Sequence, residues 1–227
     1  MKLWVPITAL ATVFLTTACV NVIDLVDPPQ YPPPSQDELI AAREKMERIP
    51  RLEEVTAQLF PHVDEIVAVI NQTNPQLHVT SANLLDMWLD AETVQKTKRE
   101  LGVDDVELDA CRDLIAPKVG GVGRGRGART AGEISPESWQ AVRAKVISSG
   151  RALQMTERIP SPPAKGDGPT RRSIEMYAPD GASIEVYNEF VENTGWVITV
   201  AGETGCRIAN DPAKFGVTMT SVPGKPK

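Results

Sequence analysis

Residues able to do chemistry are few in this chain, and their spacing assembles no familiar constellation. Histidine occurs twice (His62, His78) and cysteine three times (Cys19, Cys111, Cys206). His-Glu-x-x-His, Gly-x-Ser-x-Gly and Cys-x-x-Cys do not occur. The spacings that put zinc ligands on one helix face, or a serine on a nucleophile elbow, are therefore missing. His62 lies near Asp64 and Glu65, where a metal can be drawn, but the expectation is a solvated or capping histidine. Asp105, Glu107 and Asp109 alternate as in a calcium loop, yet the glycine that turns such a loop is absent. That stretch is expected to be an edge strand with Val106 and Leu108 inward. In residues 120–129 (GGVGRGRGAR), Gly123, Gly125 and Ala128 fit a loose dinucleotide fingerprint. Pro117 interrupts the strand that should precede it, no doubly wound pattern succeeds it, and no Gly-Lys-Ser/Thr completes a P-loop. The expectation is a mobile basic loop, with Arg124 and Arg126 as candidate binders of phosphate or of an acidic partner. No metal and no cofactor is expected. An enzyme working through two carboxylates needs no motif, since any two acids can meet in space.

The residue with the clearest address is Cys19. Lys2 opens the chain, residues 3–15 form an apolar run too short to span a bilayer, and Leu15-Thr16-Thr17-Ala18 leads into the cysteine. This arrangement resembles a bacterial export signal ending in a lipobox, where the thiol takes a diacylglycerol and cleavage makes Cys19 the new N-terminus. The lipobox pattern prefers Leu three residues before the cysteine; here Thr16 stands there and Leu15 is one further back. Ordinary secretion, with cleavage after Ala18, is the alternative. Two or three acyl chains such as palmitate would hold the protein firmly, where one would bind weakly.

Lys2 is the leader's only charge, so its loss takes the formal net charge from −6 to −7. Such a balance argues against nucleic acid and against an electrostatic grip on anionic headgroups, leaving the lipid anchor as the membrane contact. With Cys19 used by lipid, Cys111 and Cys206 remain as an even pair in an exported chain. A disulfide is the default in an oxidising envelope, worth about 4–5 kcal/mol on the chain-entropy estimate. A metal-binding or reactive thiol pair is the alternative.

Positioning these residues falls to elements that can be taken in chain order. Residues 1–18 are the signal peptide and 19–34 a proline-rich tether, semi-rigid because proline fixes φ. Residues 35–210 form a single domain and 211–227 a frayed tail. Ser35 and Glu38 make a capping box opening a helix to about Ile49, which Pro50 breaks. A second helix carries Leu52, Val55, Leu59, Val63, Ile66, Val67 and Ile70 on one face, ends at 71–75, and should kink or restart at Pro61. Residues 76–80 read as a first strand, and 83–101 as a partly buried helix with Trp88 inside it. Ser135 and Pro136 open a helix with Trp139, Val142, Val146 and Leu153 buried, ending near Ile159. A Pro/Gly loop spans 161–169. A meander closes the chain: strand 173–177, a Pro179-Asp180-Gly181 turn, strand 182–189, strand 196–200, then Gly205-Cys206-Arg207-Ile208. The expected class is α+β, a mostly antiparallel sheet of about four strands with helices on one face and one disulfide.

This order resembles the LppA-like lipoproteins of actinobacterial cell envelopes. The likeness rests on Cys19, the stretch Leu77-His78-Val79, Cys111, the helix from Ser135, and the run from Trp196 to Cys206. It implies export, a Cys111–Cys206 disulfide, a compact α+β domain and no activity. The expected function is a non-enzymatic docking or binding module anchored on the extracytoplasmic face of the cell membrane, its partner an envelope protein. Alternatives are a carrier of a small hydrophobic ligand, its pocket lined by Trp88, Trp139 and Trp196, and an envelope hydrolase using carboxylates.

Overall fold

The structure, a computed structural model, describes residues 33–83, 119–158, 171–215 and 217. Every described helix and strand lies within one compact unit, Pro34–Lys227. Cys19, Trp88, Cys111, the helix expected over 83–101 and the acidic strand around Val106 lie outside the described residues.

α1 (Gln36–Glu47) starts where the capping box places it. The Ser35 hydroxyl accepts the Glu38 N–H at 3.3 Å, and the Glu38 carboxylate takes the Ser35 N–H at 2.7 Å. α2 (Leu52–Thr73) buries Leu52, Leu59, Val63, Ile66, Val67 and Ile70, the apolar stripe read from spacing. Pro61 neither restarts nor ends it. Pro61 and Ala57, whose carbonyl loses its donor, are both exposed, so water can serve that carbonyl.

The strand expected at 76–80 does not form. His78 takes a left-handed φ of 46°. Asn71 caps the backbone of Val79 like a partner strand, its amide donating to the Val79 carbonyl and its oxygen accepting the Val79 N–H, both at 2.7 Å. Pairing starts instead at β1 (Ala82–Asn83), the first edge of the main sheet.

The glycine-arginine stretch is not a mobile loop. Gly121–Val122 is β2, and Gly125–Ala131 is β3, hydrogen-bonded to β1 on one side and along seven residue pairs to β7 (Gly195–Glu203) on the other. α3 (Pro136–Ala152) is capped by the Ser135 hydroxyl accepting the Ser138 N–H, with Pro136 in its first turn. It stops before the expected 159. Gln154 turns left-handed at φ 58° and the Met155 N–H returns to the Gly150 carbonyl, freeing β4 (Thr156–Arg158) to join the sheet. β5 (Arg171–Tyr177), β6 (Ser183–Val191) and β7 form the expected meander. Arg207–Ile208 leaves it as β8 and pairs with β2.

The fold is α+β. Among the described residues its sheet holds six strands, not four, in the order β1-β3-β7-β6-β5-β4, every pair antiparallel, with a separate β2-β8 ribbon. α2 lies over β3 and β7, α3 over β5 and β6, and the two helices pack together. The inward rows between them are Ala128, Val200, Val186, Ile174 and Gly202, Ile184, Met176, all in register. The tail is partly built in. Pro212–Phe215 is a 3-10 turn, and Phe215 and Val217 pack against Leu52, Val122 and Ala209. Cys206 packs on a small cluster of Met46, Val119 and Ile208, and its sulfur is disulfide-bonded; the partner lies outside the described residues.

Candidate functional site

Alternation along β6 and β7 sends Ile184, Val186 and Asn188, with Ile198, Val200 and Gly202, beneath the helices. The same side continues past the helices to Phe190 and Trp196, which are register partners. Phe190 is 51% exposed, the only large apolar side chain so exposed among the described residues. Trp196 is half-buried and meets it edge-on, ring centroids 6.1 Å apart. The Arg172 guanidinium lies 5.7 Å from the indole, donates to the Ile134 carbonyl, and pairs with Glu133 at 3.3 Å. Exposed Glu192 follows Phe190 by two residues, whereas Glu189 lies on the opposite sheet face, 3.8 Å from Arg171. A rigid aromatic pair on strand ends, with a charged rim, is the composition of a docking anchor.

The opposite sheet face carries a second cluster. Glu175 and Glu185 are directly opposed on β5 and β6, an arrangement that repels. Two phenols relieve it. Tyr177 donates to Glu185 at 2.5 Å, and Tyr187 lies 2.5 Å from Glu185 and 3.1 Å from Glu175. Arg158 sits 5.4 Å from the Tyr177 ring and Arg171 4.4 Å from that of Tyr187. Burial, then the hydrogen bonds to Glu185, push both phenols well above their ordinary pKa of 10.0. They stay protonated as donors and are poor nucleophiles.

The third feature is a cavity of about 220 Å³ between the start of α2, the end of α3 and the β5–β6 turn. Val55, Leu59, Met155 and Ala182 supply apolar wall, Gln58 and Gln154 stand at the mouth, and Arg207 and Asp180 form a charged floor.

The sequence-predicted residues scatter. Arg126 is inward on β3 and bound to Asp64 of α2 at 2.7 Å, beside Ser81. Burial raises the Asp64 pKa, but the bonds from Arg126 and Ser81 outweigh it and hold the carboxyl below its usual value. Arg124 lies 5.6 Å from the Phe60 ring. Of the two predicted tryptophans that are described, Trp139 is a core residue, 8% exposed, and Trp196 reaches a surface site. His62 stands 3.4 Å from Glu65, and His78 is exposed. No metal-ligand cluster occurs among the described residues.

Phe190 escapes a sequence reading that ends its strand at Glu189. The Tyr–Glu cluster is legible in principle, since a turn centred on Asp180 pairs 177 with 183 and 175 with 185. Arg207 and Asp180 are distant in sequence, and no local pattern announces them. The chain matches no family model, and no curated protein or solved structure matches it either.

Proposed function

We propose that this chain is a lipid-anchored cell-envelope protein. In this reading it is a non-enzymatic docking module that seats Phe190 and Trp196 in an apolar recess, rimmed by basic groups, on an envelope protein. The observation that carries the reading is the exposed aromatic pair on rigid strand ends. Glu133 and Glu192 beside it favour a basic protein rim and oppose an anionic lipid surface. Acylated Cys19 would confine the domain to the extracytoplasmic face of the membrane. The proline-rich tether of residues 19–34 would give a reach of roughly 50 Å at about 3.1 Å per residue, so modest contacts suffice.

The disulfide-bonded state of Cys206 supports pairing with Cys111, because Cys19 would be consumed by lipid. The proposed kinship with LppA-like lipoproteins agrees with that pairing. The carrier alternative draws less support, because the described cavity is small and its floor charged. The hydrolase alternative rests on Glu175 and Glu185, whose opposition is occupied by two tyrosine hydroxyls.

A photo-crosslinking residue at position 190 of the anchored protein in native membranes tests docking. One discrete adduct is expected, lost with Trp196→Ala and weakened with Cys19→Ala. A crosslinker at exposed Ala57 is the control. Equal labelling from both positions, or an adduct indifferent to Trp196, overturns the reading.

A further inference from the structure

The cavity beside Arg207 holds a charge whose placement exceeds what the fold requires of it. Arg207 is 0% exposed and, among the described residues, the largest side chain wholly buried. Its Nε donates to the Thr204 carbonyl at 2.6 Å, one Nη reaches the Pro50 carbonyl at 3.3 Å, and the other meets Asp180 at 2.8 Å. These contacts engage each of the three guanidinium nitrogens once; the group carries five N–H donors, so its capacity exceeds them. Those three contacts fix the plane of the group. It forms part of the wall of an open cavity, where a buried cation is expensive unless an anion faces it.

The anion at present is Asp180, and it is not locked. Its side chain is 26% exposed and stands on the Pro179-Asp180-Gly181 turn, where Gly181 has φ 93°. Apart from Arg207, one bond from the Ala182 N–H at 3.3 Å holds it in place. Above the pair, Val55, Leu59, Leu153, Met155, Ala178 and Ala182 give short apolar walls. The volume equals about seven waters at ~30 Å³ each, enough for an acid of a few carbons and too little for a long acyl chain.

We propose that this cavity binds a small aliphatic monocarboxylate, whose carboxylate takes the Arg207 guanidinium in place of Asp180 while its alkyl part lies against Val55, Leu59 and Met155. Asp180 then acts as a built-in competitor. It keeps the buried cation paired when the site is empty and swings outward on its turn when the site fills. The planar fork of arginine suits two-oxygen recognition of a carboxylate. A neutral amide of the same shape offers a weaker acceptor and no charge.

Titration calorimetry with propanoate, butanoate and hexanoate, each against its amide, tests the site. NMR observation of the Arg207 side-chain N–H signals during the titration locates the binding. Saturable carboxylate binding is expected, with the amides silent. Asp180→Asn should tighten it about ten- to hundredfold, the weight of one charge-assisted hydrogen bond. Ala152→Trp, at an exposed rim position, should abolish it by covering the mouth. No binding by either the native protein or a folded Asp180→Asn protein overturns the proposal, as do amides that bind as well as acids. Should Asp180→Asn fail to fold, Ala152→Trp decides: carboxylate binding to the native chain must be lost in it, and survival of that binding overturns the site.

Discussion

Asn188 is wholly buried in β6, yet each polar atom of its side chain has a protein partner. Its oxygen accepts the Ile134 N–H at 3.0 Å, and its amide donates to the carbonyls of Gly132 at 3.1 Å and Val197 at 3.2 Å. It therefore fixes the β3–α3 connection against the sheet. Asn188→Leu would take the acceptor from the buried Ile134 N–H and the donors from the other two carbonyls, and should cost about 2–3 kcal/mol, read from the urea midpoint at unchanged slope. Tyr177 and Tyr187 make a pH-dependent contribution of opposite sense to that of a salt-bridged acid. Their folded pKa values are raised, so the folded state holds protons that the unfolded chain releases near 10.0. Stability is expected to be full below that value and to fall as pH rises beyond it. Ultraviolet titration should find these two phenols ionising together as the chain unfolds. Ionisation of both near 10.0 in a chain that stays folded contradicts the cluster. At this scale the sequence is legible where chemistry is local, as in the Ser35–Glu38 box. It is silent where partners lie far apart in the chain, as with Arg207 and Pro50.

Elements form here as much by what side chains omit as by what they bury. β3 reads Gly-Arg-Gly-Ala-Arg-Thr-Ala, with almost no apolar alternation, and it is a strand because β1 and β7 take its backbone on both sides. Periodicity cannot find such a strand, since the signal it needs is carried by neighbours. Gly202 of β7 has the same logic: a Cβ there would stand 2.3 Å from Val63 of α2. Gly202→Ala should push the helix off the sheet and cost about 1–3 kcal/mol, with much of the loss recovered in Gly202→Ala/Val63→Ala. An additive double mutant in thermal unfolding would deny that close approach. Gly150 of α3 approaches Met176 likewise, at 2.6 Å for an added Cβ. The helices themselves are readable because the Leu52 to Ile70 stripe and the Ser135-Pro136 start are local. The early end of α3 is not, because its cause is the pairing of β4 with β5, a tertiary demand that the intervening sequence does not announce.

For the whole molecule, the class of fold can be had from element order, while the number of strands and the destination of β8 cannot. Contacts that hold the layers together include Asp64–Arg126, between α2 and β3, and Glu65–Lys145, between α2 and α3. Asp64 and Glu65 both have lowered pKa values. Their contribution is present above the unfolded carboxylate range and should fade as pH falls through the lower folded values. Asp64→Asn should flatten the acid limb of the stability curve, and an unchanged limb would remove this pair from the account. The location proposed for the protein depends on a single thiol. Mass spectrometry of the N-terminal peptide from native membranes is the most direct test. The account predicts a chain that starts at Cys19 and carries a thioether-linked diacylglycerol. An unacylated Cys19, or residues 1–18 still attached, would contradict it.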